Sequence, residues 1–248
     1  MTDYGIKLNS IEEALTDIQG GKPVILLDDP GREGEGDFIM AASKVTPEWM
    51  RLILNYAQGA FVAVFMPEDY AMSLGLPAQV NREENQESSR TNFRLTLDSK
   101  YAHSGCSAAE RAQGANILGG KFIPYQSINE TNKRPFDYSS LDEVIERPST
   151  IDDFVKPGHL VPIAANPKGL YVRQGHTESG VELMKLAGID PPVAIDMEIL
   201  APFNPSDPLN AYKMASPKQI RELANNYELK VISVPLLCEY VGADLIKN

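Results

Sequence analysis

The run from Leu26 to Met40, Leu-Leu-Asp-Asp-Pro-Gly-Arg-Glu-Gly-Glu-Gly-Asp-Phe-Ile-Met, constrains this chain more than any other stretch. Just before it, Pro23 to Leu27 is short, aliphatic and bounded by Gly and Pro, so it reads as a buried strand. The strand empties into five carboxylates within ten residues, Asp28, Asp29, Glu33, Glu35 and Asp37, interleaved with Gly31, Gly34, Gly36 and Arg32. Carboxylates this close repel one another unless a cation shares them. Oxygen donors with room for water suit magnesium or manganese, and the glycines permit positive φ and close approach to a small ligand. The same run also reads as a plain acidic turn after a strand. It is not a phosphate-cradling P-loop, because no Lys-Ser/Thr follows the glycines.

The remaining composition narrows the function classes. A chain of 248 residues fits one large domain or two small ones and buries an ample core. A net charge of −11 argues against non-specific binding to nucleic acid or anionic membranes, which needs clustered Lys and Arg. Cys106 and Cys238 form neither a disulfide framework nor a zinc spacing. With no signal pattern and no long apolar run, the expected location is the cytoplasm.

Ser10 with Glu13 makes a capping box, and Ile11, Ala14, Leu15 and Ile18 follow at helical spacing up to Gly20-Gly21. Thr46-Pro47 starts a second helix and Phe61 to Met66 reads as a strand. A short helix follows through Leu74, then a polar, mobile loop from Asn81 to Arg90 and an alternating strand from Phe93 to Leu97. Ser107 with Glu110 forms a second capping box. Residues 119–149 lack a period and read as an insertion with a short helix near Leu141–Ile145. Lys156 to Ile163 reads as chain leaving a turn, Gly169 to Val172 as a strand, and Val181 to Leu186 as a helix. Pro192 to Leu200 and Lys230 to Val234 read as strands, with a final helix from Pro217 to Tyr227 between them. No repeat or linker divides the chain, which reads as one α/β (α+β) domain over residues 1–248, a mixed sheet with surrounding helices.

His103, His159 and His176 each lie in a Gly-containing loop beside a strand or helix end. Such loops are where sites are usually built, and histidine supplies both a neutral metal ligand and a proton carrier. Cys106 reads as a small buried side chain rather than a nucleophile.

Five segments together resemble one enzyme family. They are Asp28-Asp29-x-x-Arg32-Glu33-Gly34-Glu35-Gly36-Asp37, Gly105-Cys106-Ser107-Ala108-Ala109-Glu110-Arg111, Lys156-Pro157-Gly158-His159, Arg173-x-Gly175-His176-Thr177-Glu178, and Glu198. In this order they resemble 3,4-dihydroxy-2-butanone 4-phosphate synthase, which supplies the four-carbon unit of riboflavin. The resemblance implies a lyase using Mg2+ (or Mn2+) that converts ribulose 5-phosphate, a sugar phosphate, to that product and formate. It also implies a homodimer with sites at the subunit interface. Carried over by position, Glu33 and His176 match the metal ligands. Arg32, Glu33, Asp37 and the segment Arg173, Gln174, Gly175, His176, Thr177 match substrate contacts, and Asp37, His159 and Glu198 match catalytic positions. The chemistry of these groups agrees. A magnesium ion bridging a carbonyl and a hydroxyl acidifies the neighbouring C–H and stabilises an enediolate, and carboxylates and histidine can move the protons.

The surroundings depart from the family pattern. Pro30-Gly31 stands for Glu-Asp, Gly34 for Asn, His103-Ser104 for Thr-Thr, and Gln113-Gly114 for threonines. Ala164 and Ser216 each stand where the family has arginine, and Ala63 lies where it commonly has cysteine. Altered surroundings can redirect a site. Two further readings therefore stand beside the ordinary synthase: a divergent paralogue applying the metal-enediolate chemistry to another sugar phosphate or product, and a non-catalytic sugar-phosphate-binding protein. Retention of Glu33, Asp37, His159, His176 and Glu198 together speaks against the last.

Overall fold

The computed structural model describes residues 3–58, 61–122, 145–206 and 213–244. Its elements in chain order are α1 (Ile11–Gln19), β1 (Val24–Leu27), β2 (Gly36–Ala41), α2 (Pro47–Ala57), β3 (Val62–Pro67), α3 (Glu68–Ser73), β4 (Leu97–Ser99) and α4 (Ala108–Leu118). There follow β5 (Lys121–Phe122), β6 (Ile145–Glu146), β7 (Phe154–Ala165), α5 (His176–Leu186), β8 (Ala194–Glu198), α6 (Pro217–Tyr227), β9 (Val231–Ser233) and α7 (Val234–Val241). Seven strands form one mixed sheet in the order β4-β7-β3-β8-β2-β1-β9. The β3–β7 and β1–β9 pairs are parallel and the others antiparallel. The mixed sheet with surrounding helices read from the sequence is the one that forms.

Period-two alternation explains why both sheet faces are covered. Ile25, Leu27, Phe38, Met40, Val62, Val64, Ile195 and Met197 join a core with the inner residues of α2, α4 and α6. Val24, Leu26, Ile39, Ala41, Ala63, Phe65 and Ala194 join the opposite core with α1, α5 and α7. Along this second face the apolar series ends in acids: Asp37 precedes Ile39 and Ala41 in β2, and Asp196 and Glu198 follow Ala194 in the antiparallel β8. The ladder sets Asp37 opposite Glu198, and Asp196 opposite Ile39 on one side and Ala63 on the other. A single sheet register thus gathers three carboxyls at one end.

The helix starts follow their sequence signals. Ser10 with Glu13, and Ser107 with Glu110, form complete capping boxes, and Thr46 accepts from the Trp49 amide ahead of Pro47.

Elsewhere the structure corrects the sequence reading. Gly36 and Asp37, read as the end of the acidic loop, begin β2, because Leu26 pairs with Asp37 and Leu27 with Gly36 across the loop of residues 28–35. The turn expected before Lys156 is the 3-10 turn Ile151–Asp153, and Lys156 to Ile163 then lies inside the 12-residue strand β7, which the sequence reading did not give. Gly169 to Val172 is not a strand: Gly169 takes φ +56° and opens a 3-10 turn over Gly169–Tyr171. Phe93 and Arg94 make only isolated bridges, so the regular strand begins at Leu97. A further helix, α7, follows the one read as last, capped by the Ser233 hydroxyl. Most of the 119–149 insertion, including nearly all of the expected helix at Leu141–Ile145, lies outside the described residues. Its end, Ile145, belongs to a two-stranded ribbon with Phe122.

Gly158 shows how tightly β7 sits on β4. A Cβ there would lie 2.1 Å from the Leu97 carbonyl carbon and 2.3 Å from the Asp98 amide nitrogen. Backbone cannot yield as a side-chain tip can, so Gly158→Ala should cost about 2–3 kcal/mol. Gly20→Ala, with φ −73° and contacts at 3.4 Å, should change little. Urea midpoints of the two variants check this; equal midpoints would contradict it.

Candidate active site

The loop between β1 and β2 is folded around Asp28. The Asp28 amide donates to the Glu35 carbonyl at 2.8 Å, closing the turn. The buried Asp28 carboxylate receives Arg32 Nη1 at 2.9 Å and the Glu33 amide at 3.1 Å. Arg32 Nη2 reaches Glu33 Oε1 at 2.9 Å. The turn needs Gly34 at φ +69°. Gly36 lets β2 close: a Cβ there would come within 2.4 Å of Ile220 Cδ1.

His176 opens α5 above this loop, behind the N-cap Gly175. Its Nδ1 lies 3.2 Å from Asp37 Oδ2 and 3.9 Å from Glu33 Oε2. Complete burial pushes the imidazole down to about 4, so it is neutral at physiological pH despite its acidic neighbours. Burial likewise drives Asp37 and Asp196 well above the usual carboxylate range, and each is further raised by surrounding carboxylates. The two carboxyls lie side by side, so ionisation of one opposes ionisation of the other. Glu35 is pushed up to about 7 by burial and then by Glu198 and Glu33, while burial and Glu33 raise Glu198.

One donor atom each from Asp28, Glu33 and His176 lie within 4.8 Å of one another. Asp28 Oδ1, Asp37 Oδ1 and His176 Nε2 are buried without a hydrogen-bond partner. A neutral imidazole, two carboxylates and orphaned buried acceptors are the donor chemistry a divalent cation takes, so these residues fit Mg2+.

The other end of the site is cationic. A Cβ on Gly175 would lie 3.0 Å from Arg32 Nη2 and 3.2 Å from Arg173 Nη1, so glycine lets both guanidiniums flank the start of α5. Arg173 is held by Glu178 at 2.6 Å and by Thr91 Oγ1 at 2.9 Å. The first amides of a helix have no intrahelical acceptor, and together with two guanidiniums and the buried Thr177 they suit a phosphate. A cavity of about 350 Å³ joins the two ends.

Arg32, Glu33, Asp37, Arg173, His176, Thr177 and Glu198 all line this cavity, as does Glu35. Gln174 does not; its amide donates to the Leu170 and Asp244 carbonyls. His159 also stands apart, with Nδ1 at 2.7 Å from Asp98 Oδ2 and its side chain 45% exposed. Cys106, expected to be buried, is exposed beside it, because its loop passes over the surface at Asp98 and His159. Sequence reasoning missed Asp196, although Asp196 and Glu198 two apart in an otherwise apolar strand were a visible signal. It also missed the polar loop from Asn81 to Arg90, which was read only as mobile, and Thr91 just after it. Glu87, Ser88 and Thr91 line the cavity, and Ser89 Oγ donates to Glu33.

Comparisons with known proteins agree with this geometry. Residues 12–240 match the family model for 3,4-dihydroxy-2-butanone 4-phosphate synthase. The bifunctional riboflavin biosynthesis protein RIBA 1, chloroplastic, of Arabidopsis thaliana is 36% identical over 94% of this chain and 36% of its own length. The riboflavin biosynthesis protein RibBA of Mycobacteroides abscessus is 34% identical over 94% of this chain and 48% of its own. The chain thus spans less than half the length of these curated relatives. A 3,4-dihydroxy-2-butanone 4-phosphate synthase solved in complex with two magnesium ions superposes with a TM-score of 0.76 at 27% identity, covering 94% of this chain and 97% of that one. No helix among the described residues is long and apolar enough to cross a membrane. By its matched family model, its relatives and its fold, the chain belongs to the 3,4-dihydroxy-2-butanone 4-phosphate synthase family.

Proposed function

We propose that this chain converts D-ribulose 5-phosphate to 3,4-dihydroxy-2-butanone 4-phosphate and formate, with Mg2+ or Mn2+, as a homodimer whose sites lie at the subunit interface. The observation that carries this reading is one cavity with a cation-binding donor set at one end and a two-guanidinium helix N-terminus at the other. A sugar phosphate spans such a pair of poles. The free thiols suit a reducing compartment such as the cytoplasm.

Glu33 and His176 would hold the cation, with Asp28 beside them. When bound, the cation supplies Lewis acidity that acidifies a C–H next to a carbonyl and stabilises the enediolate. Arg32, Arg173, Thr177 and the amides after Gly175 seat the phosphate, and Gln174 braces that turn. Asp37 takes the C–H proton. Its proton-sharing contact with Asp196 sets an ionised and a protonated carboxyl side by side. Glu198, opposite Asp37 on the ladder, serves later proton transfers. His159, half-exposed and oriented by Asp98, would serve the cavity of a second subunit.

Asp196 also favours a second reading. A carboxyl beside Asp37, across from Ala63, alters the proton inventory of the reacting centre. The same metal-enediolate chemistry would then act on another sugar phosphate or stop at another product.

Purified protein with ribulose 5-phosphate and magnesium, followed by NMR, separates these readings. Stoichiometric formate that is lost on adding a chelator supports the synthase. Exchange of a substrate C–H with deuterated solvent, without formate, supports the second reading. Glu33→Ala and His176→Ala should each abolish metal-dependent turnover, and wild-type-like activity in either would remove this site from the reaction. Arg173→Met should raise KM for the phosphorylated substrate at least about tenfold through loss of a charge-assisted contact.

Stability gives an independent readout. From about pH 7.5 to about pH 9, His176 is neutral in both folded and unfolded states, so within this cavity the raised carboxyls govern the pH dependence. Raised folded-state values at Glu35, Asp37, Asp196 and Glu198 mean that stability is full at low pH and is lost as pH rises. Without divalent ions the thermal midpoint should therefore fall across this window. Asp196→Asn should flatten the fall and magnesium should reverse it. A flat profile in the wild type would contradict the assignment.

A further inference from the structure

We propose that Cys106 is a modification site: a nucleophilic thiol that forms mixed disulfides with small soluble disulfides, with His159 as proton acceptor and Asp98 as the residue positioning it. Cys106 Sγ lies 3.2 Å from His159 Nε2, and His159 Nδ1 lies 2.7 Å from Asp98 Oδ2. The His159 amide donates to the other oxygen of the same carboxylate at 2.9 Å, so Asp98 fixes backbone and ring together. With Nδ1–H donating to Asp98, the Nε2 lone pair faces the thiol. Gly105, at φ +77°, makes the approach possible, because a Cβ there would lie 2.2 Å from Asp98 Oδ2. The thiol is exposed. Thiol, imidazole and carboxylate are thus in line, which is the arrangement that activates a cysteine.

The neighbouring amides select the reaction class. Acyl transfer needs free N–H donors for an oxyanion. Here the His103 and Ser104 amides donate to Glu110 Oε1 at 2.6 and 3.0 Å, and the Ser107 amide donates to Glu110 Oε2 at 3.3 Å. The Cys106 amide donates to Ser104 Oγ at 3.4 Å. Thiol–disulfide exchange develops no oxyanion and needs none of these donors, so it is the class proposed for this thiol.

The Cys106 proton passes to His159 Nε2 and the thiolate attacks one sulfur of the disulfide. A new S–S bond forms to Sγ, the old S–S bond breaks, and the departing thiolate leaves as a thiol with the proton from His159. Cys238 cannot resolve the product: it is fully buried, and burial pushes its thiol up to about 11. The mixed disulfide therefore persists until an external thiol reduces it. While it stands, it covers His159 Nε2.

The test treats the full chain with bis(hydroxyethyl) disulfide at about pH 7 and reads intact mass and peptide masses. The readout is independent of turnover, so it stands or falls apart from the proposed reaction. One adduct on Cys106, none on Cys238, reversal by dithiothreitol, and a rate about fivefold lower in His159→Gln support the site. The exposed His159 side chain makes that variant compatible with folding, which circular dichroism checks. A Cys106 rate unchanged in His159→Gln, or no faster than that of N-acetylcysteine, would overturn the proposal.

Discussion

Six carboxyls, Glu33, Glu35, Asp37, Glu87, Asp196 and Glu198, line the cavity against two guanidiniums, and this imbalance governs the rest of the site. The guanidiniums are already committed in part, Arg32 to Asp28 and Glu33, and Arg173 to Glu178. Water screens charges poorly in a partly buried cavity, so the acids cannot all ionise together. Protons supply one remedy, seen in the raised Asp37, Asp196, Glu35 and Glu198. A divalent cation would supply the other, and only it would leave the carboxylates free to act as bases. The same cation would let an anionic substrate enter an otherwise repulsive space. Metal binding, proton transfer and substrate charge are thus one electrostatic problem.

The scaffold solves that problem by register rather than by loops alone. Asp37 and Glu198 face each other because β2 and β8 are antiparallel neighbours, and Asp196 falls on the same face two residues earlier. Apolar alternation on that face anchors both strands beneath α5, so the acids cannot spread apart without unpacking Ile39, Ala41, Phe65 and Ala194. Gly175 and Gly36 act by absence. One leaves room for two guanidiniums at a helix N-terminus and the other for Ile220 and Leu27 beside the acidic turn. A rigid sheet with small residues at its close contacts is what holds like charges together.

Local signals were legible in the sequence, and long-range placement was not. Capping boxes at Ser10 and Ser107, Pro at the first turn of α2 and α6, and the acidic motif depend on neighbours within a few residues, and each appears where it was read. The strands β2 and β7 were missed because Gly36, Asp37, Pro157 and Gly158 weaken local strand propensity, while ladder pairing on both sides overrides it. Asp196 escaped notice for the complementary reason: one acid in a strand has no local meaning until the register sets it beside Asp37. Cys106 reads as an ordinary small side chain until Gly105 folds its loop across Asp98, a contact between residues on different elements.

His159 and the cavity are separated by the same rigidity. Ile163 of β7 lines the cavity, and His159 lies four residues earlier on the same face, about 13 Å away at the rise of a strand. An imidazole reaches only about half that distance from its backbone, and β7 is held on both sides, by β3 from Leu160 onward and by β4 through Asp98. Bringing His159 to its own cavity would break those ladders and the Asp98 clamp together. A proton carrier in this position can act only on chemistry delivered from outside the chain's own cavity. The proposed contact with a second subunit's substrate and the proposed mixed disulfide at Cys106 are both of that kind, and both would use the same Nε2. The fold therefore keeps two clusters of ionisable side chains apart within one chain, one buried and acidic, the other exposed and built on a single imidazole.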